Sequence, residues 1–251
     1  MHRFFIPADW INENRVVIHG SQVHQLRDVL RLRKGDRIAV LDNSGHEYEV
    51  TLVSVGREQV YGVVAGRRLV EEPRARVTLY QAMLKGNKFD FMLQKCTELG
   101  VARFVPMVCQ RCVAANPAAS ETKLERWHRI IVEASEQSGR GKLPALERSA
   151  GFEHACQSAS GLSLLPWERE NRLGLRQALH QQGSRHRGPV EVSLFVGPEG
   201  GFTPGEAEFA ESCGIVPVTL GRRVLRAETA GLVAATVVFY QCGDLDPASK
   251  G

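Results

Sequence analysis

The stretch "LFVGPEGGFTPGE" carries three apolar residues, Leu194, Phe195 and Val196, into Gly197, Pro198, Gly200 and Gly201, with one carboxylate, Glu199, set among the glycines. Glycine lets backbone N–H and C=O groups approach a ligand closely. Thr203, Pro204 and Glu206 then supply an N-cap, a proline at the first helical position and the far half of a capping box, so the spacing predicts a helix from there. A buried strand running through a glycine loop into a helix N-terminus is where open α/β sheets take ligands. Phosphate is the obvious occupant, yet Glu199 would repel it, and neither G-x-G-x-x-G nor G-x-x-x-x-G-K-[ST] occurs in the chain. The nearest match, "SGRGKLPAL", lacks the first glycine and has Leu143 where a metal-binding hydroxyl belongs. A nucleoside without phosphates suits the loop better; a plain tight turn is the alternative.

Two more stretches could share in such a site. In "TLGRRVLRAETAGLVAATVVFY", Leu220, Gly221 and a basic pair precede Val224, Leu225 and Arg226, at the mouth of a helix apolar nearly all round. Such a helix must be buried, so Arg226, Glu228 and Thr229 at its opening need partners or a ligand; Arg226 and Glu228 pairing or capping the helix is the bland reading. In "EASEQSGRGKLP", Glu133, Gln137 and Arg140 fall at i, i+4 and i+7, with Glu136 four before Arg140, so these side chains can brace one another.

These loops need a parallel sheet to present them. After a polar linker around Pro73, strands at 77–83, 103–108, 162–166, 192–197 and 215–220 alternate with helices near 88–99, 121–139, 170–182, 204–212 and 227–240, the pattern of an α/β domain with a mainly parallel sheet. Before it, short strands at 15–18, 37–41, 48–53 and 59–64 read as a small β-barrel. One helix over 21–31 buries Val23, Leu26 and Leu30 and aligns His24, Arg27 and Arg31 on another stripe. The expected domains are 1–72 and 73–243, with a disordered tail at 244–251.

Composition bounds the partners. The 251 residues are 43% hydrophobic, enough for a real core, and the net charge is +4, which permits nucleic acid without demanding it. Arg27, Arg31, Arg33, Lys34 and Arg37 are nevertheless clustered against only Asp28 and Asp36. No secretory or membrane segment is expected, so the expected location is the cytoplasm. Of six cysteines only Cys109 and Cys112 form C-x-x-C; without a second pair or matching histidines we expect structural thiols and no metal.

Taken in order, "RFF", "HQLRDVLRLRKGD", "LKGNKFDFMLQKCTELGV", "EASEQSGR", "FVGPEGGFTPGE" and "LGRRVLRAETA" resemble the SPOUT class of RNA methyltransferases, and within it the ribosomal RNA small subunit methyltransferase E family. The resemblance spans about residues 2–242. It implies a PUA-like barrel for RNA, a catalytic domain threaded into a deep trefoil knot, S-adenosyl-L-methionine as methyl donor, and N3 of a uridine in 16S ribosomal RNA as target. It implies a homodimer acting on that RNA or on the small ribosomal subunit. It also implies donor binding by three loops: Leu165 and Pro166; Gly197, Pro198, Glu199, Gly200 and Gly201; and Leu220, Gly221, Val224, Leu225 and Arg226 with Thr229 and Ala230. The chain departs from the family's Ser-x-Arg-Ser stretch at "CQRC", where Arg111 matches and its neighbours do not.

Removing the N3 proton of a uridine leaves negative charge on the base, and arginine is a good partner for a developing oxyanion but a poor base. We therefore expect Arg140 and Arg226 on the base or an adjacent phosphate, with Glu199, Glu228 and Thr229 organising the pocket. RNA capture is assigned to Arg3, Arg27, Arg31 and Arg33, helped by Lys85 and Lys88. The rivals are a non-catalytic RNA-binding or assembly protein and a SPOUT enzyme acting on tRNA or a ribose 2′-OH.

Overall fold

The apolar run of "RIAVL" and the alternating residues of "YEVTLV" pair as neighbouring strands of a six-stranded sheet in a computed structural model, which describes residues 1–112, 120–183 and 190–247. The chain divides into two units: Met1–Glu72 with Ser135–Leu143, and Pro73–Ala134 with Pro144–Gly251.

The first unit holds β1 (Arg3–Phe5), β2 (Ile11–Asn12), β3 (Arg15–His19), β4 (Arg37–Leu41), β5 (His46–Val55) and β6 (Gln59–Leu69), in the order β1-β4-β5-β6-β3-β2. Only β1 and β4 run parallel. Two register shifts in β5 against β6 bend the sheet around Phe4, Ile18, Leu26, Ile38, Val50 and Val60. The expected helix over 21–31 is α1 (Ser21–His24) followed by a π-turn, Gln25–Val29. The extra residue in that turn breaks the even spacing of His24, Arg27 and Arg31, and Arg31 ends it at φ +56°. Val23 and Leu26 still face the core.

The second unit holds β7 (Ala75–Ala82), β8 (Arg103–Val108), β9 (Ala145–Leu146), β10 (Ala150–Gly151), β11 (Leu162–Pro166), β12 (Val190–Val196) and β13 (Val216–Val218). All pair in parallel, ordered β10-β8-β7-β12-β11-β13, with β9 beside β8. The helices are α2 (Lys88–Leu99), α3 (Glu121–Ser138, counted with the first unit from Ser135), α4 (Phe152–Gln157), α5 (Leu175–Gly183), α6 (Pro204–Ser212) and α7 (Ala227–Gln241). The near-continuous apolar run of β12 is explained by burial on both faces. Val192, Leu194 and Val196 join the core with Trp127 and Phe239, while Phe195 stacks on Tyr80 in the opposite core with its ring centroid 4.3 Å away.

Two boundaries differ from the sequence expectation. The helix expected from 170 begins at Leu175, because the Glu170 carboxylate accepts the N–H groups of Arg172 and Leu173 and holds a turn there. Past α7, Asp244 accepts the N–H groups of Arg74 and Ala75, at 2.7 and 3.0 Å, so this part of the tail is tied to the start of β7. Residues 248–251 lie outside the described residues.

Candidate functional site

Because β11, β12 and β13 are parallel, their carboxyl ends share one edge of the sheet, and the three loops that leave them enclose a cleft of about 430 Å³. The first loop supplies Pro166, Trp167 and Glu168, the second Gly197 to Phe202, and the third Thr219 to Arg226; Val196, Ala227, Ala230 and Lys88 complete the lining.

Local chemistry fixes each loop. In the second, the Gly201 N–H donates to the Pro198 carbonyl at 2.9 Å. Gly201 has φ +68°, where any side chain would be strained, and a Cβ there would lie 2.5 Å from the Glu168 carboxylate and push it aside. The capping box then starts α6: Thr203 Oγ1 accepts the Glu206 N–H at 3.2 Å, and Glu206 Oε2 accepts the Thr203 N–H at 2.8 Å. Trp167 links two loops, its backbone N–H donating to the Val218 carbonyl and its indole N–H to the Phe202 carbonyl. In the third loop the Thr219 hydroxyl accepts the Gly221 N–H, and Arg226 enters α7 as an N-cap in extended conformation, without a capping bond from its own side chain.

Cations outnumber carboxylates on the lining: Lys88, Arg222, Arg223 and Arg226 against Glu168 and Glu199. Glu199 is an anchor. Burial alone would raise its carboxyl, but the Lys88 ammonium at 3.0 Å and the Lys85 N–H at 3.1 Å hold it below the ordinary glutamate range. At the start of α7, Glu228 keeps one buried carboxylate oxygen that meets no hydrogen-bond partner among the described residues.

The site residues anticipated from sequence fall into three groups. Pro166, Gly197, Pro198, Glu199, Gly200, Gly201, Leu220, Gly221, Val224, Leu225, Arg226 and Ala230 all line the cleft, whereas Leu165 is buried behind it and Thr229 is not on the lining. Lys88, expected to face RNA, lines the cleft and pairs with Glu199. Arg140 clusters with the first unit, buried, with Nη2 donating to Glu72 at 2.7 Å, while the other Glu72 oxygen accepts the Gly141 and Lys142 N–H groups. Arg3 donates to the buried Glu47 at 2.9 Å, as Arg68 does at 2.8 Å. Burial opposes ionisation of Glu47, but these two guanidinium groups hold its carboxyl below the ordinary range. Arg27 pairs with Asp28, which its guanidinium and His24 pull down to about 2, while Arg31 and Arg33 are exposed. Lys85 is exposed, and its backbone serves Glu199.

Sequence reasoning missed Trp167, Glu168, Phe202, Thr219 and Ala227, although each lies within two residues of a strand end or motif it had marked. Arg111, noted in the sequence as a match to the family's stretch but given no role, donates its guanidinium to the Gly200 carbonyl at 2.9 Å from a separate stretch of chain. No group of three or more His, Cys, Asp or Glu residues suited to a metal occurs among the described residues.

Comparison with known proteins places these features in context. The family model described as RNA methyltransferase domain matches residues 70–239, and that described as RNA methyltransferase PUA domain matches residues 18–65. Similar curated proteins include the ribosomal RNA small subunit methyltransferase E of Synechocystis sp., 37% identical over 93% of this chain and 75% of that one. The protein of the same name from Bacillus subtilis is 31% identical over 89% of both chains. Among solved structures, ribosomal RNA small subunit methyltransferase E from Neisseria gonorrhoeae, bound to S-adenosyl methionine, superposes with a TM-score of 0.81 at 29% identity, covering 94% of this chain and 95% of that one.

Proposed function

Since the chain belongs to the RNA methyltransferase family, we propose that it methylates ribosomal RNA of the small subunit, at N3 of a uridine, with S-adenosylmethionine as donor. The observation that carries this reading is the cleft: three loops from the carboxyl ends of adjoining parallel strands, with backbone exposed at Gly200 and Gly201, in a chain similar to a structure bound to that donor.

The residues fit the group. A cleft of about 430 Å³ lies in the range of small-molecule sites. The positive φ of Gly201 disfavours any side chain, which leaves its backbone and that of its neighbours to face a ligand. The lining has no phosphate-loop sequence, and Glu199 is held ionised by Lys88, so a ligand without phosphates is favoured. When bound, the donor supplies a methyl carbon made electrophilic by a sulfonium sulfur.

The remaining work belongs to the chain. The three loops position and desolvate the reacting groups. Arg226, exposed on the lining, offers its guanidinium to the oxygen of a uracil that has lost its N3 proton. The N-terminus of α7 adds a favourable dipole, with Glu228 and Thr229 in its first turn organising the pocket. Glu199 and Lys88 hold the glycine loop. Leu165, buried in the core at the end of β11, precedes the first loop. Arg140 enters as a brace of the first unit, its guanidinium being committed to Glu72. RNA contacts fall to the exposed Arg31 and Arg33 of the first unit, helped by Arg27, and to the exposed Lys85 of the second; Arg3 serves Glu47. A homodimer, the knotted threading, the domains 1–72 and 73–243 and a cytoplasmic location complete the reading.

The test is transfer of labelled methyl from S-adenosylmethionine to small-subunit ribosomal RNA lacking native modification, with the product nucleoside identified by mass spectrometry. 3-Methyluridine is expected. No transfer to either naked RNA or assembled subunits would overturn the proposal.

A further inference from the structure

The turn Cys109, Gln110, Arg111, Cys112 is unused by the reading above, yet it lies against the glycine loop. The Cys112 N–H donates to the Cys109 carbonyl at 3.1 Å; such a turn keeps its end Cα atoms within about 7 Å, close to what a disulfide spans. The Cys109 N–H donates to Cys112 Sγ at 3.2 Å, and the two thiols also hydrogen-bond each other. Both are reduced; Cys109 is buried and Cys112 half-buried. The residues between them reach the cleft wall. Arg111 Nη1 donates to the Gly200 carbonyl, and its Cβ lies 3.2 Å from where a side chain on Gly200 would begin. The Gln110 N–H donates at 2.8 Å to Glu206, whose other oxygen closes the capping box of α6.

We propose that Cys109 and Cys112 are a reversible disulfide site, oxidised by low-molecular-weight disulfides, whose closure pulls Arg111 off the Gly200 carbonyl and weakens donor binding. The effect on the donor rests on the function proposed above. An S–S bond of about 2 Å is far shorter than a thiol hydrogen bond, so closure reshapes the turn that carries Arg111.

The chemistry is asymmetric in the way such exchange requires. The hydrogen bond from the Cys109 thiol, aided by the Cys109 N–H and opposed by burial, brings the Cys112 thiol down to about 7, so a thiolate is present at neutral pH. That same bond, together with burial, pushes Cys109 far up. The Cys112 thiolate attacks one sulfur of the small disulfide, whose S–S bond breaks and releases one thiolate. The mixed disulfide no longer carries the negative charge that held the Cys109 proton. Cys109 gives its proton to the released thiolate and attacks Cys112 Sγ, expelling the second small thiolate, which takes a proton from solvent. Two protein thiols thus lose two electrons, and one small disulfide becomes two thiols. Cys96 and Cys156, raised to about 12 mainly by burial, stay protonated and inert.

The experiment equilibrates a Cys213→Ser protein, which lacks the exposed cysteine, in glutathione buffers of rising oxidised fraction. Thiols are trapped by alkylation, the 109–112 peptide is weighed, and S-adenosylmethionine is titrated calorimetrically before oxidation, after it, and after dithiothreitol. The expected result is an intramolecular Cys109–Cys112 link and donor affinity weakened about tenfold, the scale of one lost charge-assisted hydrogen bond, both reversed by dithiothreitol and both absent in Cys112→Ser. A fully oxidising buffer that leaves the pair reduced, or a linked protein that binds the donor as tightly as the reduced one, overturns the proposal. If the reduced protein does not bind the donor, the donor reading falls and the switch with it, while the peptide mass alone still decides whether the disulfide site exists.

Discussion

The arginines of the first unit and those at the cleft make opposite use of the same side chain. Arg3 and Arg140 are each locked onto a carboxylate, Glu47 and Glu72, that lies 44 and 68 residues away in sequence. Arg222, Arg223 and Arg226 are exposed on the lining of a cleft whose carboxylate Glu199 is already held by Lys88. What separates a structural arginine from one available to a ligand is therefore an acid that the fold delivers from far along the chain.

That contrast can be broken by substitution. Arg226→Ala is expected to lower single-turnover methyl transfer about a hundredfold, the scale of removing one preorganised donor to a developing oxyanion, while thermal unfolding stays within experimental scatter. Arg140→Ala should do the reverse: a loss of about 1.5–3 kcal/mol in denaturant unfolding, as for a hydrogen bond to a charged group, with donor affinity in the purified protein unchanged. If Arg140→Ala abolishes transfer without destabilising the fold, the assignment of the two arginines must be exchanged.

The pairing of Glu47 sharpens the comparison through pH. A carboxyl held low in the folded state contributes stability that is complete above its unfolded value, about 4.3, and is lost as pH falls through the lowered folded value. Unfolding followed from pH 6 to pH 2 should show wild type losing stability more steeply below about pH 4.3 than Glu47→Gln, which lacks that titration. Parallel curves would mean that Arg3 and Arg68 do not stabilise the ionised form.

The smallest expected effect separates two neighbours on the basic stretch. Arg31 is exposed, whereas Arg27 already serves Asp28. In RNA-binding titrations over salt concentration, Arg31→Ala should reduce the slope of log K against log salt by up to about one, and Arg27→Ala by clearly less. Equal reductions would show that Asp28 does not compete with phosphate.

Much of this architecture was legible in the sequence, because local signals suffice for it. The largely apolar strands β11 and β12, the Thr203 to Glu206 capping box and the glycines after β12 point to the parallel sheet and to the loop that the cleft uses. Less legible was whatever depends on distant pairing. The commitment of Arg140 to Glu72, the capture of Lys88 by Glu199 and the approach of Arg111 to Gly200 each join residues more than sixty positions apart, and no periodicity encodes them. The π-turn after α1 escaped for a different reason: it preserves the burial of Val23 and Leu26, the pattern from which a regular helix was expected.

Whether the loops after β11, β12 and β13 hold the methyl donor is decided by calorimetric titration of the purified protein with S-adenosylmethionine, beside Gly200→Arg. A side chain at Gly200 crowds Arg111, whose Cβ lies 3.2 Å from the position of the new Cβ, and a long charged one adds bulk to the loop. One binding event is expected in the wild type and none in the folded variant. Equal binding by both proteins would contradict it.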